Sequence, residues 1–321
     1  MKRIFITGAS GCIGHYIAEA LIQNTNHELF LLVRNPQKIR FNWQARSGIH
    51  ILQGDMSHIE EHSDLLLKKI DVAILAATAW GGTAETYDIN VVKTLALINM
   101  LNPNVCERVI YFSTASILDR QNQLLLPASQ FGHDYIRTKY QCFSQLNKTA
   151  IADKTVALFP TLVFGGNKDK PYSHLTSGLP EIINWMGLIR WLKVDGSFHF
   201  IHAQDIAWIV EYLVENTQYS PEKIGNNDFV DCLVLGNPAL SVNDAIAEIC
   251  QYLNKRIYFG IPLNMTLINL LIKIFRIRMD SWSRFSLDYR HFTYQKPTTP
   301  RVFGENNYCS SVEELMEVSG I

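Results

Sequence analysis

The sequence predicts an α/β protein with a doubly wound parallel sheet and a smaller, interleaved C-terminal lobe, and three observations support this fold class. An apolar run at residues 4–6 leads into a glycine-rich turn, and residues with helical spacing follow the turn. Short apolar runs then alternate with helical patterns as far as residue 165, as expected for strand–helix units. The length of 321 residues allows one large domain plus a smaller lobe.

The glycine-rich turn at residues 7–14 reads Thr-Gly-Ala-Ser-Gly-Cys-Ile-Gly. Gly8 permits a sharp exit from the strand, Gly11 lets the backbone approach a pyrophosphate, and Gly14 lets the helix pack closely on the sheet. A phosphate would bind the unpaired N–H groups at the helix N-terminus. The turn therefore predicts dinucleotide contacts from Gly8, Ser10, Gly11, Cys12, Ile13 and Gly14. Its Gly-x-x-Gly-x-x-Gly spacing differs from the more common fingerprint, and a plain strand-turn-helix is the alternative.

Residues 7–14 resemble the extended short-chain dehydrogenase/reductase superfamily, in its NAD-dependent epimerase/dehydratase group. The resemblance is strongest over 3–165, moderate over 196–253 and faint elsewhere. It implies a Rossmann domain over 1–165 that also receives segments near 196–215 and 228–237. It also implies a substrate-binding lobe formed by 166–195 and 238–321.

The second apolar run, at residues 28–33, ends at Arg34, and this position bears on the cofactor. In such folds an acidic residue about 20 residues beyond the glycines binds the adenosine ribose, whereas an arginine accommodates a 2′-phosphate. The acid is absent and Arg34 is present, with Lys38 and Arg40 nearby. NADP(H) is therefore favoured and NAD(H) stays possible, while a solvated arginine after a strand is the structural alternative.

Three further strands are expected to contribute cofactor contacts. The third predicted strand ends at Asp55 and Met56, and the resemblance implies that this aspartate meets the adenine ring. The fourth, at residues 71–77, is nearly all apolar, as a central parallel strand must be, and its small Ala76 and Ala77 leave space for the cofactor.

A sixth strand is predicted at residues 157–165, similar to the family's Arg-Pro-x-x-x-Tyr-Gly segment. Pro160 and Val163 are implied to face the cofactor. Phe159 and Phe164 replace the usual arginine and tyrosine, so a common polar organiser of this region is missing.

The predicted catalytic residues follow the fifth strand, at residues 108–112. Thr114 comes directly after that strand, and Tyr135 and Lys139 lie one helical turn apart. A tyrosine with a pKa near 10 is a poor base at neutral pH, and a nearby ammonium lowers that pKa. Thr114 would polarise a carbonyl while Tyr135 gives or takes the proton and hydride passes to or from nicotinamide. A tyrosine and a lysine on an ordinary amphipathic helix form the alternative.

The sequence thus predicts an NADP(H)-dependent oxidoreductase acting on a carbonyl or secondary alcohol. A nucleotide-sugar epimerase with bound NAD is the first alternative, and a non-catalytic NADP-binding sensor or assembly factor is the second. Dehydratases of this family resemble Thr-Asp-Glu after strand five. Ala115 and Ser116 follow Thr114 here, which disfavours 4,6-dehydration.

Several other features have structural interpretations beside functional ones. A helix at 87–101 carries Asn90, which matches the family's helix asparagine or is simply exposed. Further helices are expected at 179–192 and from Ser241 to residue 253, with a strand at 229–235. His202 and Asp205 could form a second catalytic pair, but Asp205 is better explained as an N-cap of the helix that follows. Four aromatic residues could line an apolar pocket or belong to the core: Trp80, Tyr172, Trp185 and Trp191.

Composition limits the partners. A net charge of −1 with scattered basic residues gives no electrostatic argument for nucleic acid or an anionic membrane as a general partner. Six dispersed cysteines predict reduced thiols in the core of a cytoplasmic protein, with no metal site. The first strand begins too early for a signal peptide, and the apolar run at 263–275 is too short to span a bilayer. That run is expected to pack in the smaller lobe or to lie on a membrane or partner, and the resemblance implies a possible homodimer through 87–101 and 135–150.

Overall fold

The computed structural model describes residues 1–221, 223, 229–274 and 278–320, with only the backbone at 270–272. The strands are β1 (Arg3–Thr7), β2 (Glu28–Val33), β3 (Ile49–Gln53), β4 (Val72–Leu75), β5 (Arg108–Phe112), β6 (Thr155–Pro160), β7 (Leu162–Phe164), β8 (Leu192–Lys193), β9 (Ser197–Phe198), β10 (Phe200–His202), β11 (Asp231–Leu235), β12 (Leu240–Ser241), β13 (Ile261–Pro262) and β14 (His291–Phe292). The helices are α1 (Cys12–Asn24), α2 (Ser63–Lys69), α3 (Thr83–Tyr87), α4 (Thr94–Met100), α5 (Leu126–Phe131), α6 (Asp134–Leu146), α7 (His174–Ile189), α8 (Ala203–Glu215), α9 (Val242–Tyr252), α10 (Met265–Ile274), α11 (Ser281–Tyr289) and α12 (Val312–Val318).

The centre of the molecule is a seven-stranded sheet in the order β11-β6-β5-β4-β1-β2-β3. Every pairing within it is parallel. The chain moves outward from β1 to β3, returns to the other side of β1 as β4, and continues outward from there. The topological switch point, where doubly wound folds bind their ligands, therefore lies between the carboxyl ends of β1 and β4.

Alternating side chains of the sheet enter two cores on its opposite faces, because successive residues of a strand point to opposite sides. Phe5 faces the core that includes α4 and α6, whereas Ile4 and Ile6 face the core formed with α1 and α8. A third apolar cluster lies outside these two layers, among α7, α9 and α12. The predicted α/β sheet fold with a smaller C-terminal part is confirmed.

Two predicted elements differ from the structure. The strand expected at 157–165 is split at Thr161, because β6 pairs with β5 and β11 while β7 leaves the main sheet and pairs with β10. The prediction that Asp205 caps a helix is wrong. His202 is the N-cap of α8, and its ring accepts a hydrogen bond from the Gln204 N–H. Asp205 lies inside the first turn of α8, and its carboxylate accepts hydrogen bonds from the Tyr308 and Cys309 N–H groups.

Other boundaries shift for local reasons. The helix expected at 87–101 begins at Thr83 and contains a π-helical segment, Asp88–Lys93, between α3 and α4. The helix expected at 179–192 begins at His174, because Ser173 caps it by accepting a bond from the Thr176 N–H. Ser241 caps α9 as predicted.

The apolar run expected at 263–275 forms α10, and its residue 275 lies outside the described residues. No helix within the described part of the chain is both long and apolar enough to cross a bilayer.

Candidate active site

The glycine turn lies at the switch point and is tightly packed against the end of β4. Gly8 has a φ of +78°, and a Cβ added to it would lie 2.7 Å from the Ala76 carbonyl carbon and from the Ala77 nitrogen. A Cβ on Gly14 would lie 2.2 Å from the Gly8 carbonyl oxygen. These contacts explain in steric terms why both positions require glycine.

The turn has an open side at the start of α1. The N-cap of this helix is Gly11, so no side chain caps the N-terminus, and the first turn carries no acidic residue. A Cβ on Gly11 would meet only the Gly8 oxygen, at 3.4 Å. The uncapped N–H groups and the helix dipole therefore form a cradle that suits a pyrophosphate.

A cleft beside this cradle brings the three predicted catalytic residues together. Thr114, Tyr135 and Lys139 line it at the carboxyl end of β5 and along α6. Predicted cofactor residues line the same cleft: Ile13, Ala76, Pro160 and Val163. Four lining residues were not predicted: Thr78, Phe112, Ser113 and Thr161. Each follows or precedes a predicted residue along the chain by at most two positions, which is the signal that could have identified them.

Lys139 is buried at the base of this cleft. Its Nζ donates a hydrogen bond to the Phe112 carbonyl oxygen at 2.7 Å and lies 5.2 Å from the centre of the Tyr111 ring. Burial lowers the pKa of Lys139 to about 8, because the charged ammonium has left water. Its ammonium is 5.9 Å from the centre of the Tyr135 ring. The lysine is thus held in place by the end of β5.

Tyr135 lies in the first turn of α6, and its hydroxyl is hydrogen-bonded to Thr114. Burial raises the pKa of Tyr135 to about 12, and its hydrogen bond with Thr114 acts in the opposite direction. Thr114 is itself fixed, since its Oγ1 accepts a bond from the Ser116 N–H at 3.3 Å. Tyr135 is therefore a protonated phenol at neutral pH in this environment, with a hydroxyl beside it.

Aromatic rings surround the outer side of Tyr135. The Trp80 ring stacks on the Tyr135 ring, with their centroids 3.9 Å apart. The centroid of the His174 ring lies 5.2 Å from that of Trp80. The centroid of the His133 ring lies 6.1 Å from that of Trp80 and 6.1 Å from that of Tyr135. The core interpretation of Trp80 is wrong, because 54% of this residue is exposed. Tyr172 and Trp185 are also exposed, whereas Trp191 is half-buried against Phe259.

Asn90 holds the loop that carries Trp80. Its Oδ1 accepts bonds from the Ala79 N–H at 2.8 Å and from the Thr78 hydroxyl at 3.1 Å. Its Nδ2 donates to the Ala79 carbonyl and to Thr138 Oγ1 on α6, each at 3.1 Å. The interpretation of Asn90 as an exposed helix residue is wrong, because the side chain is buried and joins the loop to the helix that carries Tyr135.

The predicted adenosine end lies at the carboxyl ends of β2 and β3. The Arg34 Nε lies 3.7 Å from an Asp55 oxygen, with three quarters of the Arg34 side chain exposed. Asp55 also accepts a bond from the Ser57 N–H, and Met56 beside it is buried in the core. Arg40 is directed elsewhere, since its guanidinium donates to the Lys168 carbonyl.

His202 and Asp205 serve the fold. The Asp205 carboxylate accepts bonds from the Tyr308 and Cys309 N–H groups, at 2.6 and 3.3 Å, and burial raises its pKa to about 6. The His202 ring packs 4.7 Å from the Tyr308 ring, and burial lowers its pKa to about 4. His202 and Asp205 thus hold Tyr308 and Cys309, in the segment before α12, against the N-terminal end of α8.

The two departures from the family pattern are apolar contacts. Phe159 is fully buried and packs edge-on against Phe143, with ring centroids 5.0 Å apart. Phe164 packs edge-on against Phe200 in the third cluster. Across the described residues, no group of three or more His, Cys, Asp or Glu side chains could hold a metal ion.

Comparison with known structures agrees with this topology. The crystal structure of gox2253 is 18% identical, with a TM-score of 0.68 over 99% of this chain and 98% of that one. The dTDP-glucose 4,6-dehydratase of Bacillus anthracis str. Ames, in complex with NAD, is 12% identical, with a TM-score of 0.63 over 100% and 97%. The UDP-glucose-4-epimerase of Stenotrophomonas maltophila, with bound NAD and formylated UDP-arabinopyranose, is 18% identical, with a TM-score of 0.60 over 90% and 98%. At these identities the likeness shows the fold.

Among curated protein sequences, none matches this chain significantly. The family model described as the NAD dependent epimerase/dehydratase family matches residues 4–225, which is more than half of the chain. The predicted resemblance and the expectation of an enzyme are confirmed, and the chain belongs to the NAD-dependent epimerase/dehydratase family.

Proposed function

We propose that this protein is an NADP(H)-dependent oxidoreductase that interconverts a carbonyl and a secondary alcohol. The observation that carries the proposal is the meeting of Thr114, Tyr135 and Lys139 in one cleft, beside the open cradle of the glycine turn. The dinucleotide, when bound, supplies or accepts the hydride. The cradle would hold its pyrophosphate, and the cleft would receive its nicotinamide end.

In carbonyl reduction, the chain's own residues manage the proton. The Tyr135 hydroxyl donates its proton to the carbonyl oxygen as hydride reaches the carbonyl carbon, which gives the alcohol. The Thr114 hydroxyl donates a hydrogen bond to the same oxygen and polarises the carbonyl. A pKa of about 12 keeps Tyr135 protonated at neutral pH, which supports its role as the acid.

Lys139 is proposed to assist this step through its charge. The Phe112 carbonyl holds the ammonium near the Tyr135 ring, where a positive charge stabilises the phenolate left after proton transfer. With a pKa of about 8, this charge is present at neutral pH and is lost at higher pH.

The preference for NADP(H) is proposed from Arg34. Its exposed guanidinium, at the end of β2, suits a 2′-phosphate. The nearby Asp55 carboxylate would instead suit the ribose hydroxyls of NAD(H). The two cofactors are therefore compared by tryptophan-fluorescence titration of wild type, Arg34→Ala and the exposed control Lys69→Ala. We expect NADPH to bind more tightly than NADH in wild type and in the control, and this preference to disappear in Arg34→Ala.

The test of catalysis measures NADPH oxidation with a panel of ketones as substrates. We expect Tyr135→Phe to lower kcat/KM by about a hundredfold or more while NADPH still binds. Tyr140→Phe, on the same helix, is the matched control and should keep its activity. Full turnover by Tyr135→Phe would refute the assigned role.

A nucleotide-sugar epimerase is the second candidate, because the family includes epimerases and two of the similar structures contain NAD. In that reaction Tyr135 would take the proton from a sugar hydroxyl and later return it. NAD that copurifies with the protein, together with epimer formation from UDP-sugars detected by NMR, would favour this function. Dehydration stays disfavoured, since Ala115 and Ser116 occupy the short helix after Thr114.

Further parts of the proposal concern the rest of the chain. The segments 166–195 and 238–321 would bind the substrate, and the position of His174 beside Trp80 supports this role. A cytoplasmic location and a homodimer through 87–101 and 135–150 are also proposed. Sedimentation equilibrium would test the dimer.

A further inference from the structure

An exposed apolar surface lies at the C-terminal end of α7 and on the segment before β13. On α7, Ile182, Trp185 and Leu188 share one face, and Trp185 and Leu188 are 58% and 57% exposed. On the second segment, Tyr258 is 74% exposed and Phe259 is 60% exposed. We call these residues, with the exposed Ile261, the aromatic patch. Exposed apolar surface that is contiguous in this way commonly marks an interaction site.

The two segments of the patch are joined through Trp191, which lies two residues beyond the end of α7. The Trp191 ring stacks on the Phe259 ring, with centroids 4.6 Å apart and planes inclined by 15°. The Ile261 N–H donates to the Trp191 carbonyl at 2.7 Å, and β8 pairs with β13. The guanidinium of Arg190 lies 4.3 Å above the Trp191 ring and donates to the Arg256 carbonyl.

Basic residues outnumber acidic ones in the two stretches of the chain that carry the patch. The sequence contains no Asp or Glu in residues 182–194 or 251–279, although the whole chain has a net charge of −1. The same two stretches contain seven basic residues: Arg190, Lys193, Lys255, Arg256, Lys273, Arg276 and Arg278. Two acids flank the first stretch. Glu181 is exposed one helical turn before Trp185, and Asp195 pairs with Arg290 at 2.7 Å, so part of the Asp195 charge is compensated.

We propose that the aromatic patch docks this protein on the surface of an anionic phospholipid bilayer. Tryptophan and tyrosine side chains favour the membrane–water interface, where an apolar ring and a polar group are both accommodated. Lys and Arg beside such rings are attracted to anionic headgroups, and here they outnumber the two flanking acids, Glu181 and Asp195. The protein would lie on the bilayer, and no described helix needs to cross it.

The helix α10 follows the patch along the chain. It follows β13 directly and exposes Lys273 and Ile274 at its end. The other end of α7 carries His174 beside Trp80, so the proposed contact and the cleft are separated along a helix of 16 residues, about 24 Å. The docking inference therefore depends on residues outside the cleft and is independent of the proposed reaction.

The test is cosedimentation of the full chain with vesicles of phosphatidylcholine, either alone or with phosphatidylserine added. We expect the protein to bind the anionic vesicles about tenfold more tightly than the neutral ones, with a loss of binding at high salt. Trp185→Ser/Phe259→Ser and Arg256→Glu/Lys273→Glu should each weaken binding to anionic vesicles by about tenfold or more. Trp43→Ser and Lys69→Glu/Lys148→Glu are the matched controls and should bind like wild type.

Three results would overturn the proposal. The first is equal binding of wild type to both kinds of vesicle, and the second is equal loss of binding in the control variants. The third is concentration-dependent self-association that Trp185→Ser/Phe259→Ser abolishes, with no vesicle binding, since the patch would then join two copies of the chain. Circular dichroism checks that each variant folds. If Trp185→Ser/Phe259→Ser does not fold, vesicle binding by Arg256→Glu/Lys273→Glu, which changes two exposed residues, tests the proposal.

Discussion

The indole ring of Trp80 lies almost flat on the phenol ring of Tyr135, with centroids 3.9 Å apart and planes inclined by 13°. The stack covers one face of the proposed acid and excludes water from it. Because Asn90 fixes the loop before Trp80, the position of the indole is set by the helix pair that also carries Tyr135 and Lys139. The indole that covers Tyr135 thus follows a loop that is hydrogen-bonded, through Asn90, to the helix of Tyr135.

Replacing Trp80 by alanine is expected to expose the phenol ring. The pKa of Tyr135 should fall from about 12 towards its ordinary value, because water can then solvate the phenolate. The lost stack should reduce the free energy of unfolding by about 0.5–1.5 kcal/mol. Ultraviolet titration of phenolate, with Tyr135→Phe subtracted, measures the pKa. Trp43→Ala is the control, and an unchanged Tyr135 titration in Trp80→Ala would show that the indole does not desolvate the phenol.

Replacing Asn90 by alanine should release the loop that carries Trp80. The Ala79 N–H and the Thr138 hydroxyl lose a buried partner, so the free energy of unfolding should fall by about 2–3 kcal/mol in urea denaturation. Tryptophan emission should also change, because the stack on Tyr135 loosens. The exposed Asn104→Ala is the matched control. If emission stays like that of wild type, the loop is positioned without Asn90.

The stability of the protein should depend on pH through Lys139. Its pKa is about 8 in the folded state, below the ordinary value of 10.5, because burial disfavours the ammonium. At a pH between these two pKa values, Lys139 is protonated in the unfolded chain and neutral in the folded protein. The contribution of Lys139 to the free energy of unfolding therefore rises with pH. Relative to Lys139→Met, wild type should gain about 1–3 kcal/mol across that window.

Urea denaturation at pH 7.5 and at pH about 10 measures this difference, and the other titrating groups are common to both proteins. A constant difference across the window would mean that the Lys139 pKa is not lowered. Under the proposed function, kcat/KM should also fall above pH 8, where the ammonium is lost.

Alanine at the glycines of the turn should have two different effects. Gly14→Ala places a methyl group 2.2 Å from the Gly8 carbonyl oxygen, and the backbone there must move. Its free energy of unfolding should fall by about 2–4 kcal/mol. Gly11→Ala meets its nearest atom at 3.4 Å and should fold normally. A methyl group at this N-cap should hinder the approach of a pyrophosphate, so we expect weaker dinucleotide binding.

Thermal denaturation separates the two variants, and fluorescence titration with NADPH measures binding to Gly11→Ala. Equal loss of stability in both variants would contradict the difference in packing. Undiminished binding by Gly11→Ala would show that the cradle is not used by the pyrophosphate.

Much of the site could be anticipated from the sequence because its signals are local. The glycine turn is recognisable from eight consecutive residues, 7–14. The four-residue spacing of Tyr135 and Lys139 places them on consecutive turns of one helix. Family resemblance then related these segments to the ends of particular strands. The cleft contains all three predicted catalytic residues. Their roles in chemistry remain predictions.

Errors arose where a side chain's partner is distant along the chain. Asp205 has the residue type and position of an N-cap, but its carboxylate binds N–H groups about a hundred residues later. Asn90 has the same pattern as an exposed helix residue, yet it is buried against a loop and a helix from two different segments. Local propensity cannot distinguish these cases, because the burial that decides them depends on how the elements pack.

The sequence alone determines the strand–turn–helix units and the parallel direction of the strands, because apolar periodicity and turn residues act over a few positions. The stack of Trp80 on Tyr135, the burial of Lys139 against Phe112 and the stack of Trp191 on Phe259 are set by the tertiary structure. Each depends on the packing of elements that are remote in sequence, and only folding brings their side chains within contact distance.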